Sequence, residues 1–209
     1  MTQALITAKN LAVRFDNKTV FENVSFTIDQ GDFFCIEGPN GAGKTTLLKV
    51  ITHDLTPSAG TLDSKINDSD MGYVPQFRNI PEDFPLSARS FVELKLYKRI
   101  WPWFSHVERA EVTQALASSH LTNKQNLRVG QMSGGEKQRA YLAQAIVSHP
   151  KLLILDEPTA SLDVEAKYKV MDVVQELNKK GTTVIFISHD PDLLKKYGTK
   201  RIELAGEAE

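Results

Sequence analysis

The sequence predicts an α/β fold built on a mainly parallel sheet. Four short apolar runs, in GDFFCIEG, MGYVPQ, KLLILDEP and TTVIFISHD, each end in polar or glycine-rich residues. Unbroken apolar runs of this length suit strands covered on both faces. Segments with helical spacing lie between them, and alternation of the two marks an α/β chain. With 209 residues there is room for one domain with a substantial core.

The elements follow in order. In the first thirty residues, LAVRF, DNK and TVFENVSFTI read as antiparallel strands about a turn, an N-terminal antiparallel β subdomain. DFFCI is the first buried strand, and TTLLKVI belongs to the helix after it. Residues 78–130 carry two helix-like stretches, SARSFVELKLY and HVERAEVTQALASSHL, separated by IWPWFS. They are expected to form an inserted α-helical subdomain, with residues 1–77 and 131–209 making up the core. In 165–180, Val170, Val173, Val174 and Leu177 share one helical stripe, and Gly181 is placed to end it. No internal repeat is visible.

Composition removes several classes. The formal net charge of −1 does not suit a strongly basic nucleic-acid binder, so no nucleic-acid partner is expected. Cys35 is the only cysteine, which rules out an intrachain disulfide; its apolar setting, FFCI, marks it as a small core residue. The opening MTQALITAKN lacks the order of a signal peptide, and no apolar run is long enough to span a bilayer. A cytoplasmic chain is expected, and the sequon at Asn23 carries no weight. The scattered His53, His106, His120 and His149 show no transition-metal spacing.

In open α/β sheets, ligands bind beyond the carboxyl ends of the strands. Here those ends carry Gly38–Lys44, Gln76, Asp156–Glu157 and His189. GPNGAGKTT, residues 38–46 (Gly38, Pro39, Asn40, Gly41, Ala42, Gly43, Lys44, Thr45, Thr46), matches G-x-x-x-x-G-K-[ST] between a strand and a helix. Its glycines let main-chain N–H groups turn toward phosphate oxygens, and the helix adds its positive end. Lys44 should reach the β- and γ-phosphates of a nucleotide, and the Thr45 hydroxyl should ligate Mg²⁺. The fold is therefore expected to be of the P-loop NTPase type.

LLILDEP places Asp156 at a strand end, where it can hold the Mg²⁺ shell, and Glu157 beside it, where it can polarise an attacking water. His189 could bond the γ-phosphate and orient that water. The neutral amide of Gln76 can touch both metal and water. MSGGEKQR brings a second candidate phosphate contact: the Ser133 hydroxyl, the main chain of Gly134 and Gly135, and the start of another helix. An N-capped helix with no ligand would explain Ser133 but not the double glycine.

Together these segments resemble the nucleotide-binding subunit of ATP-binding-cassette (ABC) transporters. The order of aromatic residue, Walker A, Gln loop, signature, Walker B, Asp loop and His is the same, over roughly residues 4–205. MSGGEKQR followed by LLILDEPTASLD is the most specific part. The resemblance implies two copies packed head to tail with ATP between them, so that Ser133 and Gly135 act on the partner's nucleotide. It puts Phe15 where a tyrosine usually stacks on adenine, and Asp163 where the Asp loop crosses the dimer. Two departures stand out: Met132 opens the signature in place of leucine, and Glu136 replaces glutamine, placing a negative charge near the phosphate side. The guanine-reading N-K-x-D is absent, since Asn123-Lys124 is followed by Gln125 and Asn126. ATP is favoured.

One cassette without a membrane span implies a homodimer docked on separate integral membrane permease subunits, at the inner face of the cell membrane. The family's docking surface is formed by the Gln-loop region and the helical insert. Here it would include Phe77, Phe84, Phe91, Trp101, Trp103 and Phe104, unless the IWPWF stretch is a local cluster of the insert. SDMGYVPQ followed by FPLSARSFVEL looks most like the cassettes of zinc, manganese and iron-chelate importers, though short exporter cassettes share much of it. A soluble ABC ATPase of DNA repair or translation is the alternative from another class. Repair members carry long coiled coils and translation members usually two cassettes; this chain has neither heptads nor a second cassette. A P-loop kinase gives no reason for MSGGEKQR.

Overall fold

The computed structural model describes residues 3–16, 18–76, 80–97 and 104–205. Two sheets organise it. β1 (Ala4–Phe15), β2 (Lys18–Asp29) and β4 (Ala59–Ser64) form an antiparallel sheet in the order β2-β1-β4. β3 (Phe33–Glu37), β5 (Met71–Val74), β6 (Leu152–Asp156), β7 (Thr183–Ile187) and β8 (Lys200–Glu203) form a five-stranded sheet in the order β5-β6-β7-β3-β8. Every pairing in this second sheet is parallel.

The α/β expectation holds, and the four apolar runs are β3, β5, β6 and β7. The sheets differ from the sequence reading in two additions and one exposure. β4 and β8 were not anticipated: AGTLDS and KRIE are short and mixed, and it is pairing with β1 and β3 that makes them strands. β5 is an edge strand, and Tyr73 on it is exposed rather than covered.

Side-chain alternation splits the interior in two. Phe33, Cys35, Leu153, Leu155, Val184 and Phe186 face one cluster. Phe34, Ile36, Leu152, Ile154, Ile185 and Ile187 face the other. This period of two lets every central strand serve both layers. Helix α1 (Lys44–Ile51) packs on the second face, with the antiparallel sheet, through Leu47, Leu48, Val50 and Ile51. The first face is covered by α4 (Gly134–Ile146) and α5 (Val164–Lys179), with α6 (Pro191–Tyr197) at its margin; α2 (Ala88–Glu93) and α3 (His106–Ser118) pack against α4 within the same apolar cluster. Cys35 lies in this layer, and burial pushes its thiol up to about 12, as suits an unreactive core cysteine.

Among the described residues no helix is long and apolar enough to cross a membrane. Of the aromatic residues expected on a docking surface, Phe77, Trp101 and Trp103 lie outside the described residues. Phe91 is corrected: it is buried, its ring edge-on to Tyr141 of α4 at 5.1 Å, because it lies on the inward stripe of α2. Phe84 and Phe104 are half-buried, and the exposed apolar side chains nearby are Leu94, Tyr97 and Val107.

Candidate nucleotide site

The loop after β3 turns through left-handed backbone at Gly38, Gly41 and Gly43, with φ of 145°, 84° and 87°. Two of these positions have no space for a side chain. A Cβ on Gly38 would sit 2.6 Å from the Leu204 carbonyl oxygen, and one on Gly43 would sit 2.7 Å from Val20 Cγ1. The loop encloses the Lys44 side chain, whose ammonium donates to the Gly38 and Pro39 carbonyls at 2.8 and 2.9 Å. Pro39, Asn40, Gly41 and Thr45 are exposed on the rim, Thr46 is partly covered and Ala42 is buried.

Helix termini separate this loop from the rest of the molecule. Ser87, Ser105, Ser133, Asp163 and Asp190 each accept a hydrogen bond from the first turn of the helix they precede. Alone among the α-helices of the described residues, α1 has no side-chain cap; Gly43 stands at its N-cap. Its first N–H groups thus meet the outside beneath a loop of left-handed glycines, two of which leave no room for a Cβ against the surrounding chain. This arrangement fits a phosphate chain.

The ends of β5, β6 and β7 add the polar groups. Asp156 closes β6, 8% exposed, and accepts from the Tyr73 hydroxyl at 3.2 Å. Burial raises its carboxyl above the ordinary aspartate range; the Tyr73 hydrogen bond and Lys44 oppose that rise, and neighbouring Glu157 adds to it. Glu157 follows in the left-handed region, φ 46°, a strained conformation for a residue with a side chain. Its N–H donates to the Ile187 carbonyl, so β7 fixes the turn. The carboxylate receives the Gln76 amide at 3.2 Å and lies 3.6 Å from His189 Nδ1. Gln76, Glu157 and His189, distant in sequence, meet here. Thr45, Gln76 and Asp156 offer a hydroxyl, an amide oxygen and a carboxylate, hard donors of the kind Mg²⁺ takes beside phosphates.

Ser133 and the two glycines after it are elsewhere. They open α4, on the face of the sheet opposite α1. The exposed Ser133 caps α4 in a capping box: its hydroxyl accepts from the Glu136 N–H at 3.4 Å, and Glu136 accepts from the Ser133 N–H at 3.0 Å. Glu136 is also bonded to Lys124. Burial works against its charge, yet the Lys124 and Ser133 hydrogen bonds prevail and hold the carboxyl below the usual glutamate range. The extra charge noted in the sequence is thus folded back on its own helix. Gly135 also has an internal reason. A Cβ there would lie 3.0 Å from Ala166 Cβ at the start of α5, so the bare position allows α4 and α5 to approach. Asp163, which caps α5, and Phe15, at the end of β1, are both exposed.

Sequence reasoning missed Tyr73 and Lys124. Tyr73 lies within the quoted MGYVPQ, but only strand pairing reveals that its hydroxyl reaches Asp156.

Comparison with known proteins agrees with this geometry. Residues 21–160 match the family model for the ABC transporter. A metal transport system ATP-binding protein of Thermotoga maritima is 33% identical over 193 residues, covering 92% of this chain and 78% of that protein. A zinc import ATP-binding protein of Hydrogenovibrio crunogenus is 33% identical, covering 95% and 78%. A Nod factor export ATP-binding protein of Burkholderia thailandensis is 34% identical, covering 90% and 64%. Among solved structures, an inward-facing metal-chelate type ABC transporter aligns with a TM-score of 0.86 at 27% identity, covering 97% of this chain and 80% of that one. A dimeric ATP-binding cassette in a post-hydrolysis state, bound to ADP and phosphate, aligns at 0.79 and 27%, covering 98% and 97%. The uncapped phosphate loop, the carboxylate pair and these likenesses converge: the chain belongs to the ABC transporter family, as one of its ATP-binding, ATP-hydrolysing cassettes.

Proposed function

We propose that this cassette works as a head-to-tail homodimer that binds ATP with Mg²⁺ and drives separate membrane permeases, at the cytoplasmic face, in the import of a metal ion or metal chelate. One observation carries the dimer: each chain holds two half-sites on opposite faces of its sheet, the uncapped cradle of α1 and the exposed serine turn of α4. Neither half can enclose a triphosphate alone. Two antiparallel copies bring each cradle against the partner's turn. The similar cassette that is dimeric with ADP and phosphate bound supports a dimer as the working unit.

In this reading the loop N–H groups and Lys44 hold the phosphates, and Phe15 stacks on adenine. Thr45, Asp156 and Gln76 hold Mg²⁺, which when bound neutralises phosphate charge. Glu157 takes a proton from the attacking water, and His189 and Gln76 fix the carboxylate and orient that water. Ser133, Gly134 and Gly135 close the partner's site, with Asp163 across the interface. Residues 78–130 act as the helical subdomain that meets the permease.

The metal transport and zinc import relatives, with the metal-chelate transporter structure, support import of a metal. The Burkholderia export relative makes export the second reading. Purifying the chain from native membranes tests both. A permease together with a metal-binding receptor is the expected company. A permease alone whose substrate leaves the cell would replace import by export, and no membrane partner would overturn the transport assignment.

A further inference from the structure

The two carboxylates at the end of β6 are both held by β5. Met71 pairs with Leu152 and Tyr73 with Ile154 in parallel register. Met71, Leu152 and Ile154 all belong to the core layer that faces α1. The period of two therefore sends Tyr73 and Asp156 to that same face, the one from which Lys44 rises. There the Tyr73 hydroxyl donates to Asp156 Oδ2 at 3.2 Å. Three residues further on, Gln76 donates to Glu157 at 3.2 Å. One edge strand thus gives one donor to each member of the acidic pair.

Packing alone does not aim the Tyr73 hydroxyl. Tyr73 is 46% exposed on an edge strand, yet its hydroxyl is directed at a carboxylate that is 8% exposed. A carboxylate with so little access to water needs donors to keep it ionised and to fix its rotamer. The bond engages Oδ2, so Tyr73 does not compete for Oδ1.

We propose that Tyr73 is a positioning residue for the divalent metal: through its hydrogen bond to Asp156 it sets the carboxylate that holds the Mg²⁺ shell. This rests on the reading of Asp156 as the magnesium carboxylate. Partners of metal-holding carboxylates typically contribute about 10–100-fold in metal affinity.

The test uses the full chain, with Mn²⁺ as a paramagnetic substitute for Mg²⁺, titrated in the presence of ADP and followed by electron paramagnetic resonance. Tyr73→Phe is expected to weaken Mn²⁺ by about 10-fold or more. ADP affinity without divalent metal and the thermal midpoint should stay unchanged. In steady-state ATPase assays the Mg²⁺ concentration for half-maximal rate should rise, with most of kcat recovered at saturating Mg²⁺. Mn²⁺ affinity within about twofold of the parent overturns the proposal. So does an equal loss of metal-free ADP binding, which would mark a general structural role. Asp156→Asn separates the two layers. If it weakens Mn²⁺ while Tyr73→Phe does not, only the role of Tyr73 fails; if neither does, the assignment of Asp156 fails with it.

Discussion

The side-chain amide of Gln76 donates to Oε2 of Glu157 across 3.2 Å, joining the loop after edge strand β5 to the residue that follows the neighbouring Walker B strand, β6. The same carboxylate has His189 Nδ1 at 3.6 Å on its other oxygen. Glu157 is thus held between two groups and keeps a left-handed backbone to stay there. Glu157→Gln preserves shape and removes the proton acceptor. Turnover should fall by about 10²–10⁴, while ATP affinity holds. Steady-state ATPase rates and equilibrium nucleotide binding on one preparation check this; a rate within tenfold of the parent would point to another base.

The composite site can be tested by mixing. In the proposed head-to-tail homodimer, a Lys44→Ala chain or a Ser133→Arg chain alone should be inactive, since both sites carry the lesion. In a mixed dimer one site holds both lesions and the other holds none. ATPase activity should therefore reappear on mixing and follow the heterodimer fraction. Activity that never exceeds the separate parents would exclude action across the interface.

Glu136 offers a pH-dependent measurement. Its carboxyl sits below the ordinary glutamate range when folded, held by Lys124 and the Ser133 N–H. A lowered carboxyl contributes stability that is present above the unfolded pKa and is lost as pH falls through the folded one. Glu136→Gln keeps the capping geometry and removes only the charge. It should cost about 0.5–1 kcal/mol at neutral pH, since half-exposed Lys124 is screened by solvent, and nothing once the wild-type carboxyl is protonated. Urea unfolding of both chains across the acid range would show the gap closing; a gap independent of pH would refute the ion-pair account.

Gly43 joins the cradle to its helix. Alanine there must hold φ near 87° and place its Cβ 2.7 Å from Val20 Cγ1 and 3.1 Å from Phe21 Cδ1. Gly43→Ala should lose about 1–3 kcal/mol of stability. It should also weaken ATP binding at temperatures where the chain is still folded, because relief of the clash re-aims the first N–H groups of α1. Thermal unfolding combined with nucleotide titration checks both effects.

What was legible in the sequence was whatever is written locally. The phosphate loop is a contiguous string, and β3, β6 and β7 are buried on both faces, so their apolar runs are unbroken. β8 was not legible, because KRIE alternates at the sheet edge and becomes a strand only by pairing with β3. Phe91 was read as a surface aromatic because a hydrophobic ring in a helix does not declare which side is covered; its neighbour Tyr141 lies on α4, 50 positions further along the chain. Gly135 shows the same limit: its bare Cα was read for a ligand, and the fold adds that Ala166 occupies the space. Tyr73 and Lys124 depend on partners that only tertiary structure brings near.

The capping box at Ser133 has a consequence for discrimination. One lone pair of its hydroxyl oxygen accepts from the Glu136 N–H, and the hydroxyl is also bonded to the Glu136 carboxylate, so the side chain is committed at both ends to its own turn. An incoming oxyanion must win that hydrogen from a carboxylate whose charge Lys124 already offsets; a neutral molecule brings little to exchange for it.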